Sequence, residues 1–111
     1  MNFTPLEREE QLEEIKEAKG FNVIFIHNTT CPISKRVRSK FEQDANLLTG
    51  VEDVYFLDLL AHQKISDEIA EYFKVKHQSP QLLLIKDDEC IYNEALYDIS
   101  AMATAEAVKN N

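Results

Sequence analysis

The sequence has few of the residues that interrupt or cross-link a chain. It contains two glycines, three prolines and two cysteines among 111 residues. So few glycines and prolines leave little room for linkers, and we predict a single domain over residues 1–111. Two cysteines are too few for a disulfide framework. The core must therefore be held by apolar burial, for which the hydrophobic fraction of 44% is sufficient.

Long apolar runs and an excess of positive charge are also missing. No run approaches the roughly 20 residues of a membrane span, and the start of the chain lacks the pattern of a signal peptide. The formal net charge is −8, which argues against nucleic acid and anionic membranes as partners. We therefore expect a cytoplasmic protein. Thiols are kept reduced in that compartment, so a poised cysteine there is more often catalytic than structural.

Apolar periodicity predicts an α/β fold with a four-stranded mixed sheet flanked by helices, in the order α-β-α-β-α-β-β-α. The first two strands should be parallel and the last two antiparallel. The predicted strands are Phe21–Ile26, Val54–Leu57, Leu82–Ile85 and a fourth that begins at Cys90, and the predicted helices begin at Thr4-Pro5, at Pro32, near Ile65 and after Asp98 or Ser100.

Capping and spacing signals define these helices further. Thr4 and Glu7 form the pattern of a capping box around Pro5. The second helix is predicted to run from Pro32 to Leu48. The third and fourth helices each have a predicted apolar face. On the third helix the predicted inward residues are Ile65, Ile69, Tyr72 and Phe73. On the fourth they are Ile99, Met102, Ala103 and Val108.

The stretch Asn28-Thr29-Thr30-Cys31-Pro32-Ile33-Ser34 joins the first predicted strand to the second helix. Free backbone N–H groups and the helix dipole favour a negative charge at such a junction. Thiols in this position can have a pKa lowered from about 8.5 to roughly 3.5–7.5. Because Cys31 lies outside the apolar runs, we predict a nucleophilic thiolate; the alternative is a buried small hydrophobic residue.

The element order, Cys31-Pro32-Ile33-Ser34 at the first strand–helix junction, and Ser79-Pro80 before the third strand together resemble the thioredoxin superfamily over nearly the whole chain. The motif Thr30-Cys31-Pro32-Ile33-Ser34, with His77-Gln78-Ser79-Pro80 at this spacing, is similar to the monothiol bacilliredoxin family of the bacillithiol system, often labelled general stress proteins. The resemblance implies that Cys31 is the redox nucleophile and Pro80 a cis-proline beside it. It also implies bacillithiol as co-substrate, with no bound cofactor required.

The neighbours of Cys31 have expected roles. Ser34 takes the place of a resolving thiol; its hydroxyl cannot close a disulfide but can donate a hydrogen bond to the Cys31 thiolate. A cis bond before Pro80 would leave the Ser79 backbone free to pair with an extended substrate. Lys35 and Arg38 would stabilise the thiolate and attract carboxylates of a small thiol such as bacillithiol or glutathione, unless they are only the solvated face of the helix.

The second cysteine and the histidines are not predicted to join this site. If the third strand starts beside Cys31, it runs away from Cys31. Its five or six residues then place the turn before Cys90 roughly 15–20 Å from Cys31. Disulfide Cα atoms lie within about 7 Å of each other, so Cys90 should be a packing or surface residue. His27 is expected to pack at the end of a strand, and the three histidines give no zinc ligand spacing.

The favoured hypothesis is a monothiol bacilliredoxin that takes bacillithiol from client proteins onto Cys31, which a second small thiol or a partner reductase then clears. Two alternatives remain open. One is an iron–sulfur-binding monothiol glutaredoxin-like protein, which Pro32 disfavours because it stiffens the loop. The other is a non-enzymatic thioredoxin-like binding module, in which Cys31 would be alkylated slowly at neutral pH.

Overall fold

Continuous apolar runs form the centre of a five-stranded mixed sheet. The computed structural model describes residues 1–111, with β1 at Asn2–Pro5, β2 at Phe21–His27, β3 at Val51–Asp58, β4 at Gln81–Lys86 and β5 at Glu89–Ala95. In the sheet order β1-β3-β2-β4-β5, β3 is parallel to both β1 and β2, and β4 is antiparallel to both β2 and β5. The three central strands are covered on both faces, which explains why their sequences do not alternate.

Four helices cover the two faces of the sheet. The helices are α1 (Glu9–Glu17), α2 (Pro32–Gln43), α3 (Gln63–Phe73) and α4 (Ala101–Lys109). The side chains of α1 and α3 form one buried cluster with the sheet, and those of α2 and α4 form the other. The second cluster is centred on Phe25, whose ring lies 5.2 Å from that of Phe41 and 5.6 Å from that of Phe56. None of the helices is both long and apolar enough to cross a bilayer.

The predicted parallel pairing of β2 with β3 and antiparallel pairing of β4 with β5 are confirmed, but the predicted count of four strands is wrong. The extra strand is β1, which contains the Thr4-Pro5 pair expected to start a helix. Residues Asn2–Pro5 pair in register with Asp53–Phe56 of β3. Pro5 is tolerated because β1 is an edge strand and Pro5 is its last residue, where the missing N–H removes no internal ladder bond.

The first helix therefore begins later than predicted, and its start is held by Gln11 rather than by Glu7. Gln11 is only 6% exposed. Its Oε1 accepts hydrogen bonds from the N–H groups of Glu7 at 2.8 Å and Arg8 at 2.9 Å. Its Nε2 donates to the carbonyl oxygen of Pro5 at 2.9 Å. One buried amide thus joins β1 to the first turn of α1.

Apolar spacing also misplaced the end of α2. The helix ends at Gln43, and Leu48 reaches the core after a separate 3₁₀ turn at Ala45–Leu47. A buried leucine at helical spacing can be supplied by a turn as well as by a helix, so periodicity does not separate the two cases.

Tyr72 and Met102 are exposed, at 41% and 63%, contrary to their predicted burial. The Tyr72 hydroxyl donates a hydrogen bond to Asp88 at 2.6 Å, a partner far away in sequence. The cap of the last helix is Ser100, whose Oγ accepts from the N–H of Ala103 at 3.0 Å.

We predict that Gln11→Ala lowers the free energy of unfolding by about 1–3 kcal/mol, because it leaves two amides and one carbonyl without their partner. Urea unfolding followed by circular dichroism measures the change. Gln43→Ala is the matched control, since Gln43 is exposed and makes no side-chain hydrogen bond. Equal unfolding midpoints for the two variants would contradict the assigned role of Gln11.

Candidate active site

Cys31 lies at the carboxyl end of β2 and is the N-cap residue of α2. Its backbone is extended, with φ −96° and ψ 119°, and Pro32 occupies the first helical position. The Cys31 carbonyl accepts the first helical hydrogen bond, from the N–H of Lys35 at 3.1 Å. The side chain is partly exposed and forms no disulfide. The predicted position of Cys31 at the start of a helix is confirmed.

The first turn of α2 leaves two backbone donors at Cys31 without an acceptor. Pro32 has no N–H, and the N–H groups of Ile33 and Ser34 make no hydrogen bond. In most helices an oxygen of the N-cap side chain accepts from one of these groups. Here the N-cap side chain ends in the sulfur of Cys31, which accepts no hydrogen bond from either group. A thiolate at this place would be stabilised by both donors and by the helix dipole.

Asn28 ties this loop together. Its Oδ1 accepts from Thr30 twice, from the backbone N–H at 2.9 Å and from the hydroxyl at 2.8 Å. Its carbonyl oxygen accepts from the N–H of Cys31 at 3.1 Å. Its own N–H donates to Ser34 Oγ at 2.8 Å. Asn28 was not among the predicted site residues, although an Asn at the end of a strand, two residues before a Thr, is typical of an Asx turn.

Ser34 is 1% exposed and faces the interior of this loop. Its hydroxyl accepts from Asn28, and no hydrogen bond joins it to Cys31. The expected donation from Ser34 to the sulfur is therefore not made in this structure. Because accepting a bond uses a lone pair, the hydroxyl proton remains available for a charged sulfur.

The Ser79–Pro80 segment lies beside the same end of β2. Gln81, the first residue of β4, pairs with Ile26 of β2. The Ser79–Pro80 peptide bond is cis, as the family resemblance implies. The N–H and C=O groups of Ser79 have no hydrogen-bond partner, and its buried Oγ also has none. An unpaired stretch of backbone thus borders the Cys31 loop.

Arg38 contacts Glu42, His27 and Phe56, and makes no hydrogen bond to the Cys31 loop. Its Nε donates to Glu42 at 2.7 Å, and its Nη1 lies 3.1 Å from His27 Nε2. Its guanidinium group is stacked 4.1 Å above the ring of Phe56. These groups border a groove of about 290 Å³ whose lining does not include Cys31. Lys35, by contrast, is exposed and forms no ion pair.

His27 is a packing residue, as predicted. It is 6% exposed, and its ring meets that of Phe56 edge-on at 6.3 Å. Burial lowers the pKa of His27, and the neighbouring positive charge of Arg38 lowers it further. A lowered pKa favours the neutral imidazole, whose Nε2 can accept from Arg38.

Cys90 lies at the far end of the β4–β5 hairpin, as predicted. It pairs with Ile85, four residues along β4 from the strand's start beside β2, which places it about 13 Å further along the sheet. Its thiol donates to the carbonyl oxygen of Tyr92 at 3.4 Å and packs against the α1–α3 cluster. Burial raises the pKa of Cys90.

No group of three or more His, Cys, Asp or Glu side chains in this chain is arranged to hold a metal ion.

Comparison with known proteins agrees with this geometry. Residues 4–104 match the family described as monothiol bacilliredoxin BrxC. One similar solved structure, described as a candidate oxidoreductase with a thioredoxin fold, is 29% identical with a TM-score of 0.79, covering 95% of this chain and 92% of its own. Mitochondrial thioredoxin 3 of Saccharomyces cerevisiae is 19% identical with a TM-score of 0.72, covering 98% and 95%. Malassezia sympodialis thioredoxin is 16% identical with a TM-score of 0.73, covering 97% and 89%. The fold is that of thioredoxin.

We predict that iodoacetamide at neutral pH modifies Cys31 much faster than Cys90. A raised pKa favours the protonated form of the partly buried Cys90 thiol, so its modification should become fast only in alkaline solution. Peptide mass spectrometry over a series of times and pH values separates the two sites. Cys31→Ser should leave only the slow reaction. Faster modification of Cys90 at neutral pH would refute the assignment of Cys31 as the reactive thiol.

Proposed function

We propose that this chain, which belongs to the monothiol bacilliredoxin family, removes bacillithiol from mixed disulfides on client proteins through Cys31. The family and the fold are those of thioredoxin-like thiol oxidoreductases. The observation that carries the proposal is a partly exposed cysteine at the N-cap of α2, before two unpaired first-turn N–H groups, with Cys90 far along the sheet.

The first step is a thiol–disulfide exchange. The Cys31 thiolate attacks the bacillithiol sulfur of the client's mixed disulfide. A new disulfide forms between Cys31 and bacillithiol, while the disulfide to the client breaks. The client cysteine leaves as a thiolate and takes a proton from water. The reaction exchanges one disulfide for another, so it needs no oxidant or reductant.

The second step needs a thiol from outside the chain. Ser34 occupies the place of a resolving cysteine, and Cys90 lies too far along the sheet to attack the adduct. A second bacillithiol, or a reductase, would attack the bacillithiol sulfur and free the Cys31 thiolate. If bacillithiol attacks, its oxidised dimer leaves with the disulfide bond. Bacillithiol thus acts as a co-substrate and not as a bound cofactor, in a reducing compartment such as the cytoplasm.

Two surfaces near Cys31 would bind the substrate. The unpaired backbone of Ser79 offers one donor and one acceptor to an extended client segment. Lys35, exposed and one helical turn after Cys31, would attract a carboxylate of the small thiol. Arg38 could bind this carboxylate only after breaking its contacts with Glu42 and His27. We therefore assign Arg38 a weaker contact with the small thiol than Lys35.

Intact mass measurement tests the function directly. Reduced protein mixed with a bacillithiol-modified client should gain the mass of one bacillithiol, located on Cys31 by peptide mapping, while the client loses it. Cys90→Ser should behave like the wild type and Cys31→Ser should be inactive. Transfer to Cys90, or client binding without any transfer, would refute the proposal; the second result would favour a binding module. Visible absorbance after anaerobic purification would instead favour the iron–sulfur alternative.

Ser34→Cys should convert the one-thiol reaction into a two-thiol reaction. Side chains three residues apart on a helix are about 5–6 Å apart, so the introduced thiol could attack the adduct. We predict that the variant releases bacillithiol and loses two hydrogen atoms in mass, whereas the wild-type adduct persists until a thiol is added. Ser39→Cys, exposed further along α2, is the control and should keep its adduct. An equally persistent adduct on Ser34→Cys would contradict this account of resolution.

A further inference from the structure

Asn28 is the residue through which the end of β2 holds both ends of the Cys31-Pro32-Ile33-Ser34 motif. It takes part in four hydrogen bonds, two with Thr30 and one each with Cys31 and Ser34. Two of the four use its side-chain oxygen and two use its backbone. The side chains of Thr29 and Cys31 make no hydrogen bond, so the order of this loop depends on Asn28.

The side-chain bonds of Asn28 control the direction in which the loop enters α2. Fixing the N–H and hydroxyl of Thr30 closes an Asx turn, and the same turn brings the Cys31 N–H to the Asn28 carbonyl. Cys31 then keeps the extended backbone of an N-cap residue. In that position Cys31 precedes the first turn of α2, whose Ile33 and Ser34 N–H groups are unpaired.

We infer that Asn28 is a positioning residue for the Cys31 thiolate, and that it must be neutral as well as hydrogen-bonding. An aspartate could accept the same two bonds from Thr30. Its negative charge would lie within the same short turn as the sulfur, where it disfavours a second negative charge. The Asn28 side-chain amide accepts both bonds from Thr30 without carrying a charge. Substitution of Asn28 by Ala removes the bonds, whereas substitution by Asp keeps them and adds a negative charge.

The inference concerns the proposed reaction, but its test needs neither bacillithiol nor a client. The second-order rate of Cys31 alkylation by iodoacetamide is measured from pH 5 to 10 for each variant. Asn28→Ala should react about three- to tenfold more slowly at neutral pH, because the turn loses both side-chain bonds. Asn28→Asp should keep a wild-type melting temperature while the midpoint of its pH profile rises by about half a unit to one unit.

Asn46→Ala is the matched control, because Asn46 is exposed beyond the far end of α2 and makes no side-chain hydrogen bond. It should reproduce the wild-type profile. The inference is overturned if Asn28→Ala reacts as fast as this control, or if the profile of Asn28→Asp coincides with that of the wild type. A wild type that fails to accept bacillithiol would refute the proposed function and leave these alkylation profiles as valid evidence on Asn28.

Discussion

The interaction on which the site depends lies between the sulfur of Cys31 and the amino end of α2. Two amides of the first turn, those of Ile33 and Ser34, have no acceptor. An oxygen-bearing cap would accept from one of them and stabilise the helix by about 1 kcal/mol. Cysteine at the N-cap gives up that stabilisation, so the start of α2 is left open to a negatively charged group.

Strand pairing brings the rest of the site to this point. Because β2 and β4 are antiparallel, the end of β2 lies beside the start of β4, as the pairing of Ile26 with Gln81 shows. The Cys31 loop and the Ser79–Pro80 segment therefore share one edge of the sheet. The same pairing sends β4 away from that edge and places Cys90 near the other. One arrangement of strands thus places an unpaired backbone beside the Cys31 loop and keeps Cys90 far from it.

What could be predicted from the sequence was local. The apolar central strands and the helix that begins at Pro32 follow from short-range patterns, and the position of Cys31 follows from both. The strand β1 could not be found this way, because Thr4-Pro5 has the local signature of a helix start and its pairing with β3 is long-range. Arg38 shows the same limit within the site. It is close to Cys31 in sequence, but its side chain is held by Glu42 and Phe56.

The serine of the motif bears on how long the proposed adduct would last. Ser34 is buried and its oxygen accepts from the N–H of Asn28, so it fills the space of a second thiol without the chemistry of one. If Cys31 takes up a small thiol as proposed, no second thiol of this chain lies close enough to displace it. Release of that small thiol would then depend on the concentration of an outside thiol.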